Sequence, residues 1–271
     1  MKHISEYSEQ LDHKIKKAIQ KEYELNIPED INLEFKHYLE YLKDKYFKCQ
    51  EKITGIYETG SEDDLNSILA IDIIATNIKD FINNFKTMLF EIGIYGEYQQ
   101  ASPLKKIYDI NNELIEVGFN ESVYISSIVG SGKTTFLCSQ AIKYLINNFS
   151  VKYINENEFF SRARGYRNKD RTQAIEILKN IRILIYDDLE SYKPLNDYDY
   201  RQFRNDQYCI FDFRKSMNGV TLISSNYRIS DLYKFKDREE DPNLYERIIS
   251  RINKMCNRKI QFKNVDYRLK K

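Results

Sequence analysis

Residues 123–136, VYISSIVGSGKTTF, join a short apolar run to a glycine-bearing turn and then to a helical pattern. A turn whose consecutive backbone N–H groups face inward at a helix N-terminus is an anion site, and a buried strand has to feed it from behind. Gly130, Ser131 and Gly132 supply backbone that bends without Cβ clashes. Lys133 is the mobile cation expected to reach β- and γ-phosphates, and the Thr134 hydroxyl, with Thr135 beside it, is expected to ligate Mg²⁺. Ser127 stands where such a loop ordinarily opens with glycine. That position shapes the strand-to-loop turn, so a small residue is tolerable there. The stretch therefore predicts an ATP and Mg²⁺ site on an α/β fold.

The rest of the chain past residue 100 agrees. Short β-prone runs at 123–125, 151–154, 181–186, 220–223 and 259–262 alternate with helical patterns at 133–148, 172–180, 200–217 and 242–256. Such alternation predicts a parallel five-stranded sheet flanked by helices. Asp241 and Pro242 mark the start of the last helix. The apolar run IRILIYDDLE (181–190) ends in two acids, as a buried central strand with carboxylates at its C-terminal end should. Asp187 is expected to complete the metal shell and Asp188 to polarise the attacking water. Asn226 closes the next strand, GVTLISSNYR, where it can contact the γ-phosphate or the water. Without the other two motifs a lone Asn there would read as a turn residue.

Charge divides the chain in two. Residues 1–100 hold 12 lysines, no arginine and 19 carboxylates, net −7. The remaining residues are net +8 and hold all 14 arginines. An acidic part without arginine joined to a basic part rich in it suggests two jobs on one chain. The acidic part reads as helix: Leu65, Ile68, Ile71, Ala75, Ile78, Ile82, Phe85 and Leu89 recur at spacings of three and four. Such a seam serves either packing within a small bundle or a partner. The expected boundary puts an all-helical domain at 1–91 and the α/β core at 92–271.

The opening residues lack an apolar h-region, the most apolar stretch (68–75) is far short of a membrane span, and the four cysteines are widely spaced. A cytoplasmic protein with reduced thiols and no membrane contact is expected. FFSRARGYRNKDR (159–171) interleaves Arg162, Arg164, Arg167, Lys169 and Arg171 with Phe159, Phe160 and Tyr166. Charge that follows phosphates beside rings that stack on bases is the recipe for single-strand binding, although a solvated basic face gives the same pattern.

Three strand-tip motifs in this order resemble an AAA+ ATPase, and the details resemble the DnaC/IstB family of bacterial replicative helicase loaders over about 92–271. GIYGEYQQAS (93–102) looks like that family's opening, YERIISRI (245–252) like its Arg-x-x-x-Arg helix and DYRLKK (266–271) like its Tyr-Arg ending. Ser127 and Asp188 depart from the pattern, the latter standing where many AAA+ proteins use Glu. The resemblance implies self-association through the ATPase core, with Arg251 or Arg247 acting as an arginine finger on the neighbour's γ-phosphate. Arg251 fits better, because Ser250 precedes it. It also implies that 159–171 faces a central channel holding single-stranded DNA, and that the N-terminal helices hold a replicative DNA helicase. A transposition helper ATPase shares such a core; a small-molecule P-loop kinase would leave Asn226 and the arginine pair unexplained; a non-hydrolysing adaptor would use nucleotide only as a clamp.

Overall fold

The computed structural model describes residues 47–51, 72, 75–76, 79, 84, 87–95, 101, 107–147, 149–165, 167–194, 196–238 and 241–267. Two compact units divide the chain, Met1–Met88 and Leu89–Lys271. In the first, the described residues are helical; Ala75 of the seam is buried while Asp72, Thr76, Lys79 and Asn84 are exposed. The remaining seam positions up to Phe85 lie outside the described residues.

The second unit is built on five parallel strands: β1 (Val123–Ser126), β2 (Val151–Asn155), β3 (Ile183–Leu189), β4 (Val220–Ser225) and β5 (Arg258–Gln261). Their order is β2-β3-β4-β1-β5. Helices α1 (Lys133–Ile146), α2 (Glu156–Ala163), α3 (Asn168–Asn180), α4 (Asp197–Ser216) and α5 (Pro242–Met255) connect and flank them. Burial explains the order. All residues of β1 and β4 are buried, as strands covered on both faces must be, and the polar ones fall mainly at the C-terminal tips. The edge strands β2 and β5 are only partly buried. Among the described residues no helix is long and apolar enough to cross a membrane.

This order sets the C-terminal tips of β1, β4 and β3 side by side. Between β3 and β4 the register slips: Tyr186 faces Ile223 but Leu189 faces Ser225, so β3 carries one extra residue at Asp187-Asp188. Asp188 takes φ 57 there, a left-handed conformation that a short acidic side chain tolerates better than most, and Glu190 follows at φ 71. The α5 start is as expected, with Asp241 accepting from Leu244 N at 2.9 Å and Pro242 in the first turn.

Under the opposite end of the sheet, Arg214 is wholly buried, with no carboxylate partner among the described residues. Its guanidinium donates to the carbonyls of Leu178 (3.0 Å), Ile181 (2.7 Å) and Val220, and to Thr221 Oγ1 (2.8 Å). One cation thereby satisfies carbonyls at the end of α3 and the foot of β4. Burial pushes it down to about 10. A Cβ at Gly219 would stand 3.1 Å from the guanidinium, which accounts for the glycine.

Candidate nucleotide site

β1 runs straight into the phosphate loop, with Ser127 N donating to Ser225 O on β4 at 3.3 Å. Gly130 and Gly132 have φ of 76 and 88. A Cβ on Gly132 would meet nothing within 4 Å, so the backbone conformation, not crowding, demands glycine there. Gly132 caps α1, whose first turn holds no acid and no side-chain cap. Its leading N–H groups are therefore left to an external acceptor. The Ser131 hydroxyl is buried without a hydrogen-bond partner. An orphan hydroxyl, an uncapped helix start and two left-handed glycines together fit a phosphate.

Ser127 does more than tolerate its position. Its buried Oγ lies 3.3 Å from Phe262 O, 3.2 Å from Lys263 O and 3.4 Å from Asn264 Oδ1. The hydroxyl tethers the base of the loop to the stretch after β5. Tyr267 N adds a second tie from that stretch, to Gly130 O at 3.0 Å.

Lys133 is 5% exposed, and its ammonium donates to Ser127 O (3.0 Å), Ile128 O (2.9 Å) and Asn226 Oδ1 (3.0 Å). The last bond joins residues 93 apart in the chain. Asn226 thus reaches the loop from the tip of β4. Thr134 and Thr135 follow at the second and third positions of α1, and the Thr134 hydroxyl lies close enough to Asp187 to favour its charged form.

Asp187 is wholly buried. It accepts from Tyr153 Oη at 2.7 Å on one oxygen and from Ser224 Oγ on the other. Burial first, then the neighbouring Asp188 charge, push its carboxyl above the ordinary range, while the bonds from Ser224, Tyr153 and Thr134 pull it back. Asp188 accepts from Asn155 Nδ2 at 3.1 Å, and its own N–H goes to Ser224 Oγ at 3.0 Å. A carboxylate and a nearby threonine hydroxyl are the hard-oxygen pair that suits Mg²⁺. Among the described residues no group of three or more acidic, His or Cys side chains could cage an ion. Mg²⁺ would accordingly be held by Thr134, Asp187 and the nucleotide's own phosphates, the usual arrangement for this ion.

Both candidate finger arginines are engaged by α4. Arg247 stacks on Tyr208 at 4.3 Å and bonds its hydroxyl; Arg251 pairs with Asp212.

The basic stretch divides. Arg162, Arg164, Arg167 and Lys169 are exposed, with Arg162 paired to Glu158 and Arg167 to Asp170 at 3.4 Å. Arg171 is turned inward, 2.7 Å from Asp206, both side chains largely covered. Phe160 is also interior, edge-to-face on Phe203 at 4.7 Å. The solvated set is thus narrower than the sequence pattern suggests, because α2 turns Phe160 to the core and Asp206 on α4 draws in Arg171 from α3. Tyr166 lies outside the described residues.

Sequence reasoning missed α2 and with it Asn155, Glu156 and Tyr153. Asn155 caps the helix by accepting from Glu158 N at 3.2 Å, and an Asn followed three residues later by Glu is a start signal that could have found it.

An all-parallel sheet in this order, with the phosphate loop after β1, acids after β3 and a polar tip after β4, is a P-loop α/β core of five parallel strands flanked by helices. No family model and no curated protein matches the chain. Among solved structures it is similar to DnaI, at 20% identity and a TM-score of 0.45, over 54% of this chain and 72% of that one. It is similar to the DnaC helicase loader, at 17% and 0.48, over 62% and 100% of the two chains. A replication initiator DnaA bound to AMPPCP and single-stranded DNA is similar at 17% and 0.42, over 54% and 41%.

Proposed function

We propose that the chain is an ATPase that binds a replicative DNA helicase and delivers it onto single-stranded DNA. The observation that carries the ATPase part is the convergence of three strand tips: Lys133 on Asn226 at 3.0 Å, and Asp187 and Asp188 both bonded to Ser224 of β4. In this reading the loop N–H groups, the Ser131 hydroxyl and Lys133 receive the β- and γ-phosphates. Asp187 and Thr134 hold Mg²⁺, which when bound neutralises charge developing on the phosphates. Asp188 polarises the attacking water and Asn226 orients it. Arg251, with Arg247 one turn away, completes the site of a neighbouring copy. The acidic N-terminal part serves as the helicase-docking part, and Arg162, Arg164, Arg167 and Lys169 as the DNA face.

The full chain is expected to hydrolyse ATP faster with single-stranded DNA and to capture its cognate replicative helicase in a pull-down. Capture of a transposase in place of a helicase would replace loading with transposition; neither DNA stimulation nor capture would refute both. Replacing Arg162, Arg164 and Arg167 together by Ala should lower the slope of log affinity against log salt by about 2, three phosphate contacts at roughly 0.7 each. An unchanged slope would place the DNA elsewhere.

A further inference from the structure

No motif points to Tyr153, yet it holds the most critical carboxylate. It sits in the middle of the edge strand β2, 7% exposed, and donates its hydroxyl proton to Asp187 Oδ2 at 2.7 Å. Ser224 on β4 holds the other oxygen. Asp187 is therefore clamped from the strands on both sides of its own. A carboxylate bonded at one oxygen alone can still swing about its last torsion, whereas two fixed oxygens aim it.

The strand that carries the clamp is itself braced. A helix over 87–92 ends in a Schellman closure, Ile94 N on Leu89 O at 2.8 Å and Gly93 N on Phe90 O at 3.1 Å. Gly93, at φ 102, approaches β2 so closely that a Cβ would lie 2.4 Å from Tyr153 O. One residue earlier on β2, Lys152 Nζ donates to Glu91 O at 2.8 Å. Residues 91–93 thus fix the backbone from which Tyr153 reaches across to β3.

We propose that Tyr153 is a positioning residue for the metal site, aiming the Asp187 carboxylate at the ion, with the Gly93 crossing holding Tyr153 in place. The inference rests on the ATP–Mg²⁺ reading of the loop. Partners that orient a ligand without touching the metal commonly set affinity by an order of magnitude or more.

The test uses the full chain carrying Tyr153→Phe, which deletes one oxygen and keeps the ring. The probe is Mn²⁺, followed by its electron paramagnetic resonance signal in the presence of ATP. The Mn²⁺ dissociation constant should rise about tenfold, with metal-free ATP binding unchanged and lost turnover recovered by raising Mg²⁺. Merely loosened packing would depress turnover without this metal rescue. Unchanged Mn²⁺ affinity in the variant, with the parent chain binding Mn²⁺ and ATP normally, overturns the role of Tyr153. Failure of the parent chain to bind Mn²⁺ with ATP overturns the nucleotide reading and this inference with it.

Discussion

Lys133→Ala is expected to abolish ATP binding at concentrations that saturate the parent chain. The ammonium is almost wholly buried and lies at the start of α1, where it adds a full charge to the partial charge of the helix end. It makes three bonds of 2.9–3.0 Å to loop carbonyls and Asn226. Trading two of these for phosphate oxygens gives charge-assisted bonds worth about 1.5–3 kcal/mol each, so their loss weakens binding by roughly a hundredfold or more. Of the three vacated acceptors, those on Ile128 and Asn226 belong to exposed residues and only Ser127 O is buried, so the fold should survive. Titration with a fluorescent ATP analogue, beside a melting curve, checks both points. A normally folded variant that binds ATP as tightly as the parent would remove the phosphate loop from this site.

The three tips were legible because each chemistry is local: a glycine-bent loop, an acid pair ending an apolar run, an Asn ending the next. Their convergence needs only the parallel alternation that the sequence also displays. What was hidden depends on register and on distant partners. The bulge that puts Asp188 at φ 57 arises from how β3 pairs with β4, which no β3 residue reveals alone. Arg171 reads as one more cation of a basic stretch, but Asp206, 35 residues on, draws it inward. Phe160 reads as a ring beside cations, but the α2 period turns it to the core. The expected boundary at 91/92 falls three residues past the compact division at Met88 and Leu89, since the helical pattern runs on into the second unit. Ser127 looked like a missing glycine because its three acceptors lie about 135 residues away.

Least legible of all was the buried acid pair behind the β3 tip, where Arg204→Met should cost about 3–5 kcal/mol of stability at pH 7. Arg204 is 5% exposed and grips Glu190 with both terminal nitrogens, at 2.9 and 3.0 Å. It also donates to Gln207 Oε1 at 2.7 Å and stacks on Tyr245 at 4.6 Å. Glu156 lies alongside, wholly buried, taking bonds from Tyr186 Oη (2.8 Å), Gln207 Nε2 (2.8 Å), Ser191 N (2.9 Å) and Tyr192 N (3.1 Å). Two glutamates thus share one arginine. Burial, then the Glu190 charge, push the Glu156 carboxyl up to about 8, and Arg204 pulls against them. An acid raised on folding keeps its full stability below its ordinary value near 4.5 and loses it as pH climbs towards 8, by at most about 1.4 kcal/mol per pH unit for each proton. Without Arg204 the charge of Glu190 stands beside Glu156 with no cation to offset it, and the penalty grows over that window. Methionine keeps the apolar stem over Tyr245, so the lost charge, not a cavity, dominates. Denaturant unfolding at pH 5 and pH 8 should show a gap between variant and parent that is small at the lower pH and largest at the higher. Adding Glu190→Gln should close most of it at both. Equal gaps at the two pH values would mean that Arg204 acts through packing, and the shared-charge account of this cluster would fall.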